Sequence, residues 1–598
     1  MPMSAPEARK SAPLRHELEP PSVFGMELHP DAVALSKDSA ALCDAYGGNG
    51  IRVIFKNYMV ALCASCACAG GLLFGFDQGL LSVTLVMPQF LAQFPEIDTS
   101  VTSGAGLNKG VMTALLELGA FIGALLAGFF ADRYSRRASI GLGLVWFVIG
   151  SIIQTTSFQF AQLLVGRFIG GVGIGLLSST APMYISEISP PNVRGAFLVL
   201  SDGAIVFGIV VMFYLTYGTR YIASDWCFRL PFLIQITPAF GLAVALYFLP
   251  FSPRWLAGKG RDKEALHSLS RLRRLPVTDP RVQAEWLNIR AEACHNREVL
   301  VASHPDKLGE GFAQQLKLEV ASWLDMLKPG IRRRTMIGVV MMFFQQFVGI
   351  NALIYYSPTL FEQLGLGYDM QLTLSGVMNV VQFVALIPTF LWLDKVGRRP
   401  PLLVGSVGMT ICHFVVAAMI AKYPNDWPAH QAQAWVGVAF IIFYMVPYGV
   451  GWGPIPWSLP AEVHAASRRA KGLALTTCSN WGNNFIIGLI TPPLVQNTGY
   501  GAFIFFGVFS VLSGVWAYFF VPETKGIALE DIDRIFGDHM AHQDMEEKLK
   551  IVDIISGGPA PAEVLEVPEK GSGSRKSSEA GLEARSGLGS SGSSTWAK

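Results

Sequence analysis

Gly128-Phe-Phe-Ala-Asp132-Arg133-Tyr-Ser-Arg136-Arg137 closes one apolar run, and Leu393-Asp394-Lys395-Val-Gly397-Arg398-Arg399 closes another far down the chain. In both, an acid and a group of bases follow directly on an apolar stretch. A second pair of motifs repeats the relationship. Tyr184-Ile-Ser-Glu187 is followed by Arg194-Gly195, and Leu459-Pro-Ala-Glu462 by Arg469-Ala-Lys471-Gly472. Acids and bases recur in the same order at corresponding ends, so the chain reads as two copies of one helical unit.

Working outward from these ends, apolar runs fall at about 57–80, 110–131, 138–158, 162–183, 197–217 and 228–250, then at 335–357, 372–393, 400–420, 436–459, 471–494 and 501–521. Each is roughly 20 residues, which as a helix crosses about 30 Å of hydrocarbon. The expected fold is therefore an all-α membrane protein with about twelve spans in two six-helix halves. The domain plan is an N-terminal tail 1–56, a first half 57–250, a central segment 251–334, a second half 335–521 and a C-terminal tail 522–598. Lys and Arg crowd the central segment and the loops carrying Arg133, Arg137, Arg398 and Arg469, so these loops and both termini are expected on the cytoplasmic side.

Composition agrees. Half the residues are hydrophobic, 15% are charged and mean hydropathy is +0.40, whereas a soluble chain needs more charge to cover its surface. The net charge of +2 gives no reason to expect a nucleic-acid partner. Cys63, Cys66 and Cys68 read as small buried hydrophobes rather than a metal site. No nucleophile–base pair or phosphate-binding loop stands out, so no enzyme, cofactor or metal is expected. Short amphipathic helices are expected over Asp262–Leu275 and 281–293, and another using Leu529, Ile532, Ile535 and Phe536. Residues 1–50 and those after about 556 read as disordered.

Further motifs resemble the sugar porter branch of the major facilitator superfamily over about 55–540. They are Gly166-Arg167-Phe-Ile-Gly-Gly, Ser252-Pro-Arg254-Trp255-Leu, Gln345-Gln346, Gly453-Pro-Ile-Pro456-Trp457 and Pro522-Glu-Thr-Lys-Gly526, in order at the right helix ends. The texture is that of fungal members. The resemblance implies a monomeric unit in a lipid bilayer, at the plasma membrane, carrying a hexose or pentose with a co-transported proton by alternating access. Uniport, a polyol, quinate or disaccharide substrate, and a transporter-like nutrient sensor are the alternatives.

A charge inside the bilayer is costly and marks a functional candidate. Asp77 and Arg167 meet that description, and the resemblance implies that they pair and couple the proton; a static structural pair is the alternative. A ring of hydroxyls needs converging neutral hydrogen-bond groups and an aromatic face. Gln345, Gln346, Asn351, Tyr355, Asn379, Trp457, Asn480 and Asn484 are the residues that the resemblance implies for sugar binding. Gln346 and Asn351 stand roughly 140° apart on a straight helix, so their convergence calls for a break, with Gly349 the candidate. Asp202 stands where the family usually has a Gln ligand, Gly449 where the animal carriers have Glu, Phe251 in place of an acid and Ser135 in place of a Gly. Asp132, Arg133, Arg137, Glu187, Arg194, Asp394, Arg398, Arg399, Glu462 and Arg469 correspond to the family's gating salt bridges, expected to hold the halves together in one state and part in the other.

Overall fold

Backbone amides in hydrocarbon must be satisfied within their own segment, so each apolar run becomes a helix. The computed structural model describes residues 28–47, 58–190, 193–307, 311–423, 426–465, 467–525, 536 and 540–557. The first half holds spans one to six: Tyr58–Thr84, Ala105–Arg133, Arg136–Thr155, Phe160–Ile188, Arg194–Thr219 and Trp226–Phe248. The second holds span seven, Arg332–Glu362, eight, Tyr368–Val396, nine, Arg399–Lys422, ten, Gln431–Val463, eleven, Arg469–Thr498, and twelve, Tyr500–Phe520. Eleven of these are long and apolar enough to cross a membrane. Span eleven is long enough, but Asn480, Asn483 and Asn484 dilute its hydropathy.

Small residues set how closely the spans approach, because packing rather than hydrophobicity joins helices in lipid. A Cβ added at Gly75 or Gly79 of span one would overlap the Ile205 or Ile209 carbonyl of span five. Gly119 and Gly123 of span two meet span four in the same way. Between the halves, span two lies along span eleven, where an added Cβ at Gly110 would overlap the Leu489 carbonyl.

Span six divides at Gln235, and spans seven and ten are broken beside the centre of the bundle. Span seven divides into Arg332–Phe347 and Ile350–Glu362 at Gly349. Its φ of +94° suits glycine, and a side chain there would strike the Phe506 ring. Span ten unwinds into a π-turn over Tyr448–Trp452. Pro454 and Pro456 follow, and neither has an amide hydrogen to give the preceding turn.

The central segment forms helices Asp262–Arg273, Pro280–Ser303 and Phe312–Asp325. Asp279 caps the second by accepting from the Arg281 amide at 2.9 Å. The N-terminal tail departs from the disorder expected of residues 1–50. Pro30–Lys37 and Ser39–Ala45 are helices, started by a proline and by an Asp38 cap that accepts from Ala40 and Ala41. Ala32, Leu42 and Tyr46 bury against Ala284 of the central segment, which supplies the apolar partner that the tail lacks by itself. A further helix, Met540–Ile555, inserts Ile551, Val552 and Ile555 among Leu266, Leu269 and Trp286. Of the helix expected after span twelve, Leu529, Ile532 and Ile535 lie outside the described residues, as does the tail from 558 on.

Candidate functional site

Spans seven and ten together line one side of a cavity between the halves, opposite spans one and five. Its polar lining is Gln78, Asp202, Gln345, Gln346, Asn351, Gln382 and Asn480, and its aromatic lining is Phe74, Tyr448 and Trp457. Ile205, Val206, Ile209, Ile350, Ile354 and Leu386 complete the apolar part. Among the described residues, no Lys, Arg or His lines it.

The break at Gly349 turns Asn351 back toward Gln346, and Asn351 Nδ2 donates to Gln346 Oε1 at 2.6 Å. Gln345 does a different task. Its Nε2 donates to the carbonyls of Trp452 and Gly453, each at 3.0 Å, where the π-turn leaves acceptors without helical partners. Asn480 Nδ2 donates to Gln345 Oε1 at 2.8 Å, which ties span eleven to the same break. Asp202 and Trp457 reach the cavity from spans five and ten. Asn379 is fully buried, with no partner for either polar atom among the described residues, and lies outside the cavity lining; Gln382, nearly one turn along, is in it.

Tyr355 and Asn484 are also outside the lining. Both turn onto Glu117 of span two, an acid that the sequence reading passed over. Tyr355 Oη donates to Glu117 Oε1 at 2.6 Å, and Asn484 Nδ2 donates to Oε2 at 2.8 Å. The signal for Glu117 was the rule that marks Asp77, a charge within an apolar run. Gln78 was likewise missed. It donates to Tyr355 Oη at 3.0 Å and to Asn351 Oδ1 at 3.3 Å. Asp77 and Arg167 lie together, with both guanidinium amines 3.2 Å from the two carboxylate oxygens. Arg167 Nε donates to the Met112 carbonyl of span two at 2.7 Å.

On the face that carries the central segment, Arg136 and Arg398 each pair with acids of their own half. Arg136, between the two arginines singled out beforehand, holds Glu187 at 2.8 Å and Asp132 at 2.9 Å. It takes that place from the first residue of span three, after the chain leaves the helix at Ser135 and brings Arg136 back to Asp132 at the end of span two. Arg137 donates to the Leu246 carbonyl at 2.6 Å and stacks on Phe251. Arg398 binds Glu462 at 2.9 Å, and Glu523 accepts from the backbone amides of Arg398 and Arg399. Arg399 also donates to the Tyr518 carbonyl. Arg469 begins span eleven in the field of Glu292, Asp544 and Glu462. The side chains of Arg194 and Asp394 lie outside the described residues. Helix Phe312–Asp325 bridges the halves, since Gln315 accepts from Arg133 and Glu319 from Lys471. On the opposite face, Arg220 of the loop after span five meets Asp369 of span eight at 2.8 Å.

The sequence pattern of the family described as "Sugar (and other) transporter" matches residues 63–536. The high-affinity glucose transporter of Kluyveromyces lactis is 31% identical, with 83% of this chain and 88% of that protein covered. The quinate permease of Neurospora africana is 33% identical, with 81% and 90% covered. Among solved structures, the proton:xylose symporter XylE of E. coli, bound to 6-bromo-6-deoxy-D-glucose, is 26% identical, with a TM-score of 0.64 over 80% of this chain and 99% of that one. The chain belongs to the sugar porter family of the major facilitator superfamily.

Proposed function

We propose that this chain imports a neutral monosaccharide, a hexose or pentose, together with a proton, as a monomer in the plasma membrane with the central-segment face in the cytoplasm. The observation that carries the reading is the cavity. Amides from both halves converge there with aromatic rings, and among the described residues its one charged group is the acid Asp202. Amides and a carboxylate match sugar hydroxyls, which both donate and accept. An anionic substrate would bring its charge against Asp202 with no cation in the lining to receive it, which argues against quinate. Asp77 and Arg167 support proton coupling. A buried pair costs desolvation and contributes little net stability, so its place in a spanning bundle is better accounted for by a change of protonation.

The test is radiolabelled uptake in cells without their own hexose carriers, across external pH, with and without a protonophore. Glucose, xylose, galactose, fructose, inositol and quinate run in parallel. Uptake of a neutral sugar that rises in acid and collapses with the protonophore supports the proposal. Saturable uptake indifferent to both makes the chain a uniporter. No uptake by protein present at the cell surface moves the reading to a sensor.

A further inference from the structure

The cluster around Glu117 has a role in the cycle beyond the Asp77–Arg167 pair. Glu117 belongs to the first half and is 1% exposed, yet both its oxygens are held by donors of the second half, Tyr355 and Asn484. A run of hydrogen bonds leads from it to the cavity: Glu117 to Tyr355, Tyr355 to Gln78, Gln78 to Asn351, Asn351 to Gln346. Tyr355 sits on Ile350–Glu362, the part of span seven beyond the Gly349 break that leads toward Asp369 on the opposite face. Ser82 of span one adds a contact to Ser357 of the same segment at 3.3 Å.

The titratable groups that face Glu117 are Asp77 of span one, Arg167 of span four, and Tyr355 and Tyr356 of span seven. Span eleven presents the neutral Asn484. With both acids ionised, Asp77, Arg167 and Glu117 sum to one negative charge in the bilayer interior, and a single proton brings the sum to zero. A proton on Asp77 releases Arg167 from its bidentate partner, the step assigned to that pair above. A proton on Glu117 leaves that pair whole and turns two charge-assisted bonds across the halves into neutral ones, roughly half as strong. The buried Asn484 Oδ1, which has no partner among the described residues, is beside Glu117 to accept from the new acid hydrogen once the amide rotates.

We propose that Glu117 is a second titrating acid of the transport cycle and a latch between the halves. Ionised, it holds the far segment of span seven against span two and keeps the opposite face shut. Protonated, it lets that segment swing at Gly349 and the face open. Substrate at Gln346 and Asn351 competes for the same hydrogen-bond run, so occupancy and protonation act on one latch. The inference rests on the proton-coupled reading above, but its test needs no transport.

Spin labels at Thr99 and Met370, which are exposed on the opposite face in different halves, report its opening by electron–electron distance in detergent-purified protein without sugar. Cys43, Cys66 and Cys294, the partly accessible native thiols, are replaced by serine beforehand. The wild type is expected to gain a longer-distance population on going from about pH 8 to about pH 5. Glu117→Gln is expected to show that population already at the higher pH, about tenfold above wild type, the factor given by weakening one or two charge-assisted bonds. Asp77→Asn leaves the Arg167 charge without its carboxylate in the neighbourhood of Glu117, which favours the ionised Glu117, and is expected to stay closed at both. Asn484→Ala, which cuts the latch from the other half, is expected to open partly at high pH and stands in if Glu117→Gln does not fold. The proposal is overturned if the wild type shows no pH response, or if Glu117→Gln, or Asn484→Ala in its place, follows the wild-type distances. Loss of proton dependence in uptake with this pattern intact would sink symport and leave the latch.

Discussion

Arg167 turns both guanidinium amines onto the carboxylate of Asp77, each at 3.2 Å, from a helix 90 residues further along the chain. Neither side chain reaches solvent. Removing one partner of such a pair leaves an uncompensated charge in a low-dielectric interior, at a cost of about 3–5 kcal/mol. Asp77→Asn keeps the shape and one acceptor, so the expected loss is smaller and the protein should still reach the membrane. Its internal sugar should stop at the external concentration, while exchange of labelled for unlabelled sugar stays measurable. Accumulation above equilibrium in this variant would remove Asp77 from the coupling machinery.

Asp202 is the charged residue among the described lining of the cavity and lies near Tyr448. A hydrogen bond to a charged group is worth about 1.5–3 kcal/mol, so Asp202→Asn should raise KM for the preferred sugar by roughly tenfold or more. Maximal velocity should change little, because the substitution acts on binding rather than on the hinges at Gly349 and Tyr448–Trp452. Initial-rate uptake over a range of sugar concentrations separates the two parameters. An unchanged KM would place Asp202 outside the contact set.

The twelve spans and their ends were legible because hydrocarbon imposes both length and charge placement on the sequence. Even span eleven, whose asparagines lower its hydropathy, reads as an apolar run over about 471–494. Pairing was less legible. Arg136 rather than Arg133 or Arg137 meets Glu187, because helix phase decides among neighbouring arginines and the sequence does not print the phase between helices. Tyr355 and Asn484 share a span or a face with cavity residues, but the kink after Gly349 and the nearness of span two send both to Glu117. The helices at Pro30–Lys37 and Ser39–Ala45 carry too few apolar residues to declare themselves. Their apolar partner lies some 250 residues away, as the bond from the His29 amide to Gln283 illustrates with its separation of 254.

On the opposite face, the Arg220 guanidinium lies 4.2 Å from the Tyr217 ring, 4.6 Å from Tyr221 and 5.5 Å from Tyr368, and meets Asp369 at 2.8 Å. Asp369 is largely exposed, so its ion pair should be worth no more than about 1 kcal/mol. The ring contacts and the lost packing are the larger part. Asp369→Asn should change uptake less than twofold, and Arg220→Ala should shift the closed–open balance of this face several-fold. Alkylation of a cysteine placed at Thr373, whose hydroxyl lies 3.3 Å from that of Tyr217, reads the balance. Equal alkylation rates in wild type and Arg220→Ala would show that the tyrosine cage does not hold the face shut.

The helix Met540–Ile555 is fixed to the central segment by His295, whose Nε2 lies 3.0 Å from Asp544, and Asp544 also accepts from the Ser467 amide at 3.1 Å. The hydrogen bond and charge of Asp544, with Glu547 and Glu298 behind it, hold the His295 pKa above its ordinary 6.5 against the opposing effect of burial. Burial raises the Asp544 pKa, but hydrogen bonds from His295 and Ser467 outweigh it and leave the carboxyl below its ordinary 3.8. The signs follow from linkage. The raised histidine contributes docking stability that is full below pH 6.5 and is lost as pH climbs through the folded value. The lowered aspartate contributes stability that is full above 3.8 and is lost as pH falls through its own folded value. Docking should therefore be tightest between the two, in mildly acid solution, and loosen toward alkaline pH. Amide hydrogen exchange over 540–555, corrected for its intrinsic pH dependence, should show protection falling above neutrality in the wild type. His295→Gln should flatten that limb and also shrink the acid limb, since Asp544 then keeps only the Ser467 bonds against burial, and Asp544→Asn should lower protection throughout. Protection that declines above neutrality in His295→Gln as steeply as in the wild type would assign the pH response to another group.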